Sequence, residues 1–120
     1  MRPLTTHLSG EVLVIVIDDV ARVNDSLSDE YRQRVYRASE DHPGHQVALD
    51  LGPIDFISSS GVTMLVGLQK RMNSASGKVA LFRLQPYVRD VLSQMKLARL
   101  FQIVETEVQA LEALRSTPSV

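Results

Sequence analysis

The sequence predicts a small α/β sandwich: a mixed, mostly parallel sheet of four to five strands, about four helices, and an N-terminal β-hairpin. Three observations predict it. Short apolar runs alternate with amphipathic stretches of about 10 to 15 residues, the pattern of parallel strands joined by right-handed helical crossovers. The run 12–17 is apolar at every position, as a strand buried on both faces requires. The chain has 120 residues, enough to bury one core but not two, so 1–120 reads as a single domain with a frayed tail at 117–120.

The elements follow in order. Segments 4–8 and 11–17 flank Ser9-Gly10, a dipeptide suited to a tight turn, and form the hairpin. A polar loop, 18–25, offers Asn24, Asp25 and Ser26 as caps for a helix over 27–40, in which Leu27, Tyr31, Val35 and Ala38 recur at helical spacing. The break His42-Pro43-Gly44-His45 leads to a strand over 46–51, where Val47, Leu49 and Leu51 alternate with Ala48 and Asp50. Gly52-Pro53 ends it. A helix over 60–75 carries Val62, Leu65, Val66, Leu68 and Met72 on one face, widened by Met64, with Thr63, Gly67, Lys70 and Arg71 opposite. After Gly77 comes a strand over 78–84. Pro86 opens a helix in which Val88, Val91, Leu92 and Met95 mark i, i+3, i+4 and i+7. Residues 101–105 read as the last strand. Thr106, with Gln109 three residues later, forms a capping box for a final helix carrying Val108, Leu111 and Leu114.

Composition narrows the function. Hydrophobic residues make up 44% and charged residues 22%, which excludes disorder, and a net charge of -1 argues against a nucleic-acid surface. There is no cysteine, so thiolate chemistry and disulfides are excluded. No run approaches the roughly 18 apolar residues of a membrane span, and 1–10 lacks the apolar core of a signal peptide. The expected location is cytoplasmic, with neither nucleic acid nor membrane as partner. The histidines are His7, His42 and His45, and no carboxylate stands at ligand spacing on the same element, so neither a metal nor another cofactor is expected.

The hydroxyl triplet Ser58, Ser59 and Ser60 falls between a strand and a helix, at the carboxyl end of the sheet where functional groups gather in open α/β folds. One serine can cap the helix. A nucleophile would need a base within reach, whereas no Gly-x-Ser-x-Gly elbow is present and the histidines lie in other segments. Phosphate-binding loops of the Gly-x-x-x-x-Gly-Lys or Gly-x-Gly-x-x-Gly kind are missing too. What remains beside capping is a serine that receives phosphate, since a helix amino terminus accommodates the added charge. Asp18, Asp19, Asn24 and Asp25 open at the same end and read either as a partner surface or as a solvated turn and cap. Asp50 is expected to hydrogen-bond loop amides near the triplet. Thr63 is a second hydroxyl for a kinase or a plain exposed residue, and Met64 and Gly67 are either a docking strip or core filler.

The stretch Val47-Ala48-Leu49-Asp50-Leu51, followed by Phe56-Ile57-Ser58-Ser59-Ser60-Gly61-Val62 and a helix, resembles the STAS domain family of anti-sigma factor antagonists and sulfate-transporter cytoplasmic domains. The resemblance covers nearly the whole chain. The family motif commonly reads Phe-(Met or Ile)-Asp-Ser-Ser-Gly-Leu, with phosphate carried by the first serine after the acid. Matched residue by residue, Ser58 stands at the acid position, Ser59 is the acceptor, and Ser60-Gly61 completes the signature. The resemblance implies a STAS-type sandwich and a phosphoprotein that is not an enzyme. It implies partner switching in transcription regulation: the unmodified form sequesters an anti-sigma factor that is also a serine kinase, phosphorylation of Ser59 ends the capture, and a serine phosphatase restores it. Ser58, Ser60 and Thr63 are substitute acceptors, and Asn24, Asp25, Ser58, Ser59, Ser60, Gly61 and Met64 form the expected partner surface. The alternative, favoured by serine at position 58, is a STAS scaffold or accessory subunit of a transport or stress-signalling complex without obligatory phosphorylation. Neither reading specifies an oligomeric state.

Overall fold

The computed structural model describes residues 5–17 and 25–115. Five strands, β1 (Thr5–Ser9), β2 (Val12–Val16), β3 (Gln46–Asp50), β4 (Lys78–Phe82) and β5 (Gln102–Val104), alternate with α1 (Asp25–Asp41), α2 (Ser59–Ser74), α3 (Pro86–Gln94) and α4 (Glu107–Arg115). The spatial order of the sheet is β1-β2-β3-β4-β5. β1 and β2 pair antiparallel and the remaining neighbours pair parallel. Ser9 faces Val12 across a two-residue turn, in which Gly10 takes a φ of 62°, the left-handed value that closes such hairpins. The expected hairpin and mixed sheet are thus present, with the turn centred one residue later than the Ser9-Gly10 reading.

Because the parallel strands follow one another in sequence order, right-handed crossovers carry every connecting helix to the same face. The side chains record this. Leu13, Ile15, Val47, Leu49, Val79 and Leu81 point to one face, beneath Val35 of α1, Leu65, Leu68 and Met72 of α2, and Val88 and Leu92 of α3. Val12, Val14, Ala48, Ala80 and Phe82 point to the other, where Ala110 and Leu114 of α4 close over them. Helices therefore cover both faces, as the all-apolar β2 requires, but three lie on one side and one on the other. Ala48 and Ala80 are register partners at the centre of the α4 face. Their small side chains let a single short helix sit close to the sheet.

Tyr36, on α1, ties that helix to α2. Its hydroxyl donates to the Met64 carbonyl at 3.1 Å. A Cβ placed on Gly67 would lie 2.1 Å from the same hydroxyl, so only glycine leaves room for it. Arg71 stacks over the Tyr36 ring, 4.4 Å from its centroid, and its guanidinium reaches Glu40 at 3.0 Å. Burial raises the Tyr36 pKa above its ordinary 10.0, against the lowering pull of Arg32 and Arg71.

Several boundaries differ from the sequence reading. α1 begins at Asp25, two residues early, and β3 and β4 end at Asp50 and Phe82. A 3-10 turn, Ala98–Leu100, precedes β5, so the last strand is only three residues long. Leu97 and Phe101 pack inward on either side of that turn, and the strand keeps three of the five residues, 101–105, that the sequence reading assigned to it. The capping box forms with a shift: Thr106 Oγ1 accepts from the Gln109 amide at 3.2 Å, while Gln109 Oε1 accepts from the amide of Glu105 rather than Thr106. Asp18, Asp19 and Asn24, and the tail 117–120, lie outside the described residues.

Candidate functional site

The loop between β3 and α2 opens at the carboxyl edge of the parallel strands, and buried anchors hold it. Asp50 ends β3 and is only 7% exposed. One carboxylate oxygen accepts from the Gly52 amide at 2.9 Å, and the other accepts from Arg83 at 3.0 Å. The loop-amide contact expected of Asp50 is therefore made at Gly52, at the start of the loop rather than at the serines. Arg83 reaches it from the end of β4 with a φ of 61°, in the left-handed region that a non-glycine residue seldom occupies. The Gln85 side chain donates to the Gly52 carbonyl at 2.8 Å, and the Ile54 amide donates to Leu51. Ile54 and Ile57, both buried, pin the rest of the loop into the core beneath α2.

With Ile57 fixed inward, the next residues start the helix. Ser58 is extended, at φ -89° and ψ 171°, and its hydroxyl accepts from the Gly61 amide. That bond is 3.2 Å long, and the Ser58 carbonyl accepts the first helical bond, from Val62, at 3.0 Å. Ser58 is thus the N-cap. Ser59 takes the first helical position and is exposed; Ser60 and Gly61 take the second and third. Thr63, one turn on, is also exposed. The free amides and the positive end of the helix dipole converge where Ser59 sits.

The other sequence candidates separate. Gly61 is buried and contributes backbone. The sequence leaves Met64 and Gly67 as either a docking strip or core filler: Met64 is 1% exposed and lies in the core, which removes it from the expected partner surface, and a Cβ on Gly67 would meet the Tyr36 hydroxyl. Met64 falls where the apolar arc of α2 is overlaid by α1, and the sequence contains no signal for that overlap. Asp25 is the first residue of α1, and Asn24 lies outside the described residues.

The sequence reading missed an aromatic pair. Phe56, two residues before the cap, stacks on Tyr87 near the start of α3 with ring centroids 5.4 Å apart and planes 20° apart. Both remain about half exposed, 46% and 50%. An aromatic residue in a polar loop next to the serines was the available signal for Phe56; nothing local marked Tyr87 as its neighbour. From the same end, an open trough of about 320 Å³ runs along α2, bordered by Val62, Thr63, Val66, Lys70, Met95 and Leu97.

The histidines sit elsewhere. His7 meets Glu107, His42 meets the Glu11 carbonyl, and His45 meets the Glu40 carbonyl. No cluster of metal-ligating side chains occurs among the described residues. No described helix is long and apolar enough to cross a membrane. The β2-to-β5 order does not reverse, so the sheet lacks the switch-point crevice in which open α/β folds bind small ligands. The arrangement is a fixed, solvent-facing helix terminus beside exposed aromatic rings, which suits contact with another protein.

Comparison with known proteins agrees with this geometry. The model of the STAS domain family matches residues 5–110. BtrV of Bordetella bronchiseptica, provisionally named an anti-sigma factor antagonist, is 28% identical over 94 residues, which span 78% of this chain and 81% of BtrV. The anti-sigma F factor antagonist of Paenibacillus polymyxa is 26% identical over 101 residues, spanning 84% of this chain and 86% of the relative. Among solved structures, an anti-sigma-factor antagonist (STAS) domain protein from Planctomyces limnophilus superposes with a TM-score of 0.82 at 24% identity, covering 94% of this chain and 98% of the other.

Proposed function

The chain belongs to the STAS domain family, and on that premise we propose that it is a cytoplasmic anti-sigma factor antagonist whose grip on its partner is switched by phosphate on Ser59. The partner is an anti-sigma factor that is also a serine kinase, and a serine phosphatase resets the cycle. The protein itself performs no chemistry; it is the substrate of one enzyme and the product of another.

One observation carries this reading. Ser58 does the capping, which leaves the Ser59 side chain exposed at the first helical position. It also bears on the alternative drawn from serine at position 58. Serine and aspartate are equivalent N-caps, so the exchange preserves the local task, and no other feature favours an unswitched scaffold. In the transfer, Ser59 Oγ bonds to the γ-phosphorus of ATP, ADP leaves, and the hydroxyl proton passes to a base of the kinase. The product adds about -1.5 to -2 charges where amides and the helix dipole accept them, so the fold persists. A partner seated over the rings and the helix end instead meets a charge that it must bury. An uncompensated buried charge costs about 3 to 5 kcal/mol, hence about a hundredfold to a few thousandfold in affinity.

The test is incubation with the kinase and ATP, followed by peptide mapping by mass spectrometry. Phosphate on Ser59 is expected, and Ser59→Ala should remain unmodified yet keep binding the partner. Ser59→Asp should bind weakly. Equal binding by both variants, or no phosphate on residues 58–63, would refute the switch.

A further inference from the structure

The sheet has two edges, β1 and β5. β5 is three residues long, too short to template another strand well. β1 has five residues, Thr5-Thr6-His7-Leu8-Ser9, and carries neither the lysine, the proline nor the bulge by which natural edges are blunted. Among the described residues, nothing pairs with its outer side. Leu8 within it is 65% exposed, the most open of the large hydrophobic side chains described.

The hairpin fixes which backbone groups this edge offers. Only Gly10 and Glu11 separate Ser9 from Val12, so Ser9 and Val12 form a hydrogen-bonded pair and the pairs alternate from there. Thr5, His7 and Ser9 spend their amides and carbonyls on β2. Those of Thr6 and Leu8 point outward. Side chains alternate as well: Thr6 and Leu8 share the face of Ile15 and Leu13, their partners on β2, whereas His7 and Ser9 lie on the α4 face, where both meet Glu107.

We propose that this edge receives a second copy of the chain, β1 against β1 and antiparallel, about a two-fold axis at His7, so that two sheets join into one. In this register Thr6 of each copy stands opposite Leu8 of the other, and all the outward amides and carbonyls of these two residues are used. Setting Thr6 on Thr6 or Leu8 on Leu8 would halve those bonds within β1, and a slip by one residue would face outward groups with inward ones. The two Leu8 side chains become diagonal neighbours, about 7 to 8 Å apart, and cover one another. His7 faces His7, but each imidazole already meets the Glu107 carboxylate of its own chain at 3.1 Å, so no unpaired charge is opposed. A net charge of -1 adds little repulsion between copies. The inference rests on the hairpin alone: β2 separates β1 from the strand that leads to Ser59, so Ser59→Asp should leave the pairing unchanged.

The experiment is sedimentation equilibrium of the full chain together with disulfide trapping. The chain should pass from monomer to dimer between about 10 µM and about 1 mM, the weak association that a small interface implies. Thr6→Pro removes an outward N–H and leaves the bonds to β2 intact, so the dimer dissociation constant should rise about tenfold or more while the circular dichroism spectrum and melting stay native. Leu8→Lys, a charge at an exposed edge position, should do the same. Because the chain has no cysteine, His7→Cys supplies one thiol per copy, and any disulfide links two copies. Directly opposed residues of a non-hydrogen-bonded pair have Cα atoms about 4.5 Å apart, within disulfide reach, so oxidised glutathione should crosslink the His7→Cys protein. Ser9→Cys should stay uncrosslinked, since Ser9 faces Thr5 of the second copy and the two Ser9 positions lie about 13 Å apart. A monomer at every concentration would overturn the proposal. So would dimers indifferent to both Thr6→Pro and Leu8→Lys, or crosslinking of Ser9→Cys as readily as of His7→Cys.

Discussion

Ser58 and Ser59 divide two tasks that the sequence presents together. The cap contact of Ser58 predicts that Ser58→Ala destabilises the fold by about 1 kcal/mol, whereas Ser58→Asp is neutral or slightly stabilising, because a carboxylate both caps and complements the dipole. Chemical denaturation checks the pair; equal loss in both would deny the capping role. Gly67 makes a sharper case. Gly67→Ala drives a methyl against the Tyr36 hydroxyl and is expected to cost about 1 to 3 kcal/mol. Adding Tyr36→Phe removes the clashing oxygen and should recover part of that loss, so a double-mutant cycle should show non-additivity. The serines were legible from their place after a strand. Met64 and Gly67 were not, since residues on the border of a helical arc are assigned by whichever neighbour lies above them.

At the scale of elements, the hairpin and α4 are joined by few polar contacts. Glu107 opens α4 and accepts from Ser9 at 3.0 Å and meets His7 at 3.1 Å, both on β1. The His7 hydrogen bond is the main cause that lowers the Glu107 pKa from its ordinary 4.5, with a smaller contribution from Ser9. A lowered acid pKa means that the link stabilises the fold above the ordinary glutamate range and fades as pH falls through the folded-state value. Glu107→Gln should therefore lower stability slightly at pH above the ordinary glutamate range, by a small amount because the site is partly exposed and screened, and flatten the acid limb by that same amount, the two proteins converging at low pH. Thermal denaturation from pH 3 to 7 tests this; an unaltered acid limb would assign no role to the contact. The strands and helices were legible because β2, β3 and β4 are short, nearly continuous apolar runs and the helices are apolar in period 3.6. The turn Ala98–Leu100 was not, because three residues are too few to show a period.

For the whole molecule, the separation of architecture from surface is the central expectation. Phosphorylated protein should unfold within a few degrees of the unmodified form, because the charge enters solvent beside free amides. Its affinity for the partner should nevertheless fall by about two orders of magnitude or more. Replacing the stacked rings, as Phe56→Ala with Tyr87→Ala, should weaken partner binding while sparing stability, since both are half exposed; calorimetric titration and thermal melts together distinguish the outcomes.

The sequence by itself determined the element types, the cap at the triplet and the family signature, because periodicity, capping chemistry and short motifs are local properties of the chain. Tertiary structure alone decided that α1, α2 and α3 share one face, that Tyr87 joins Phe56, and that Arg83 crosses to Asp50. Those contacts join residues whose neighbours follow from strand order and helix overlap. Strand order is a choice among packings that an alternating pattern leaves equivalent, and it is made by the burial of both sheet faces at once.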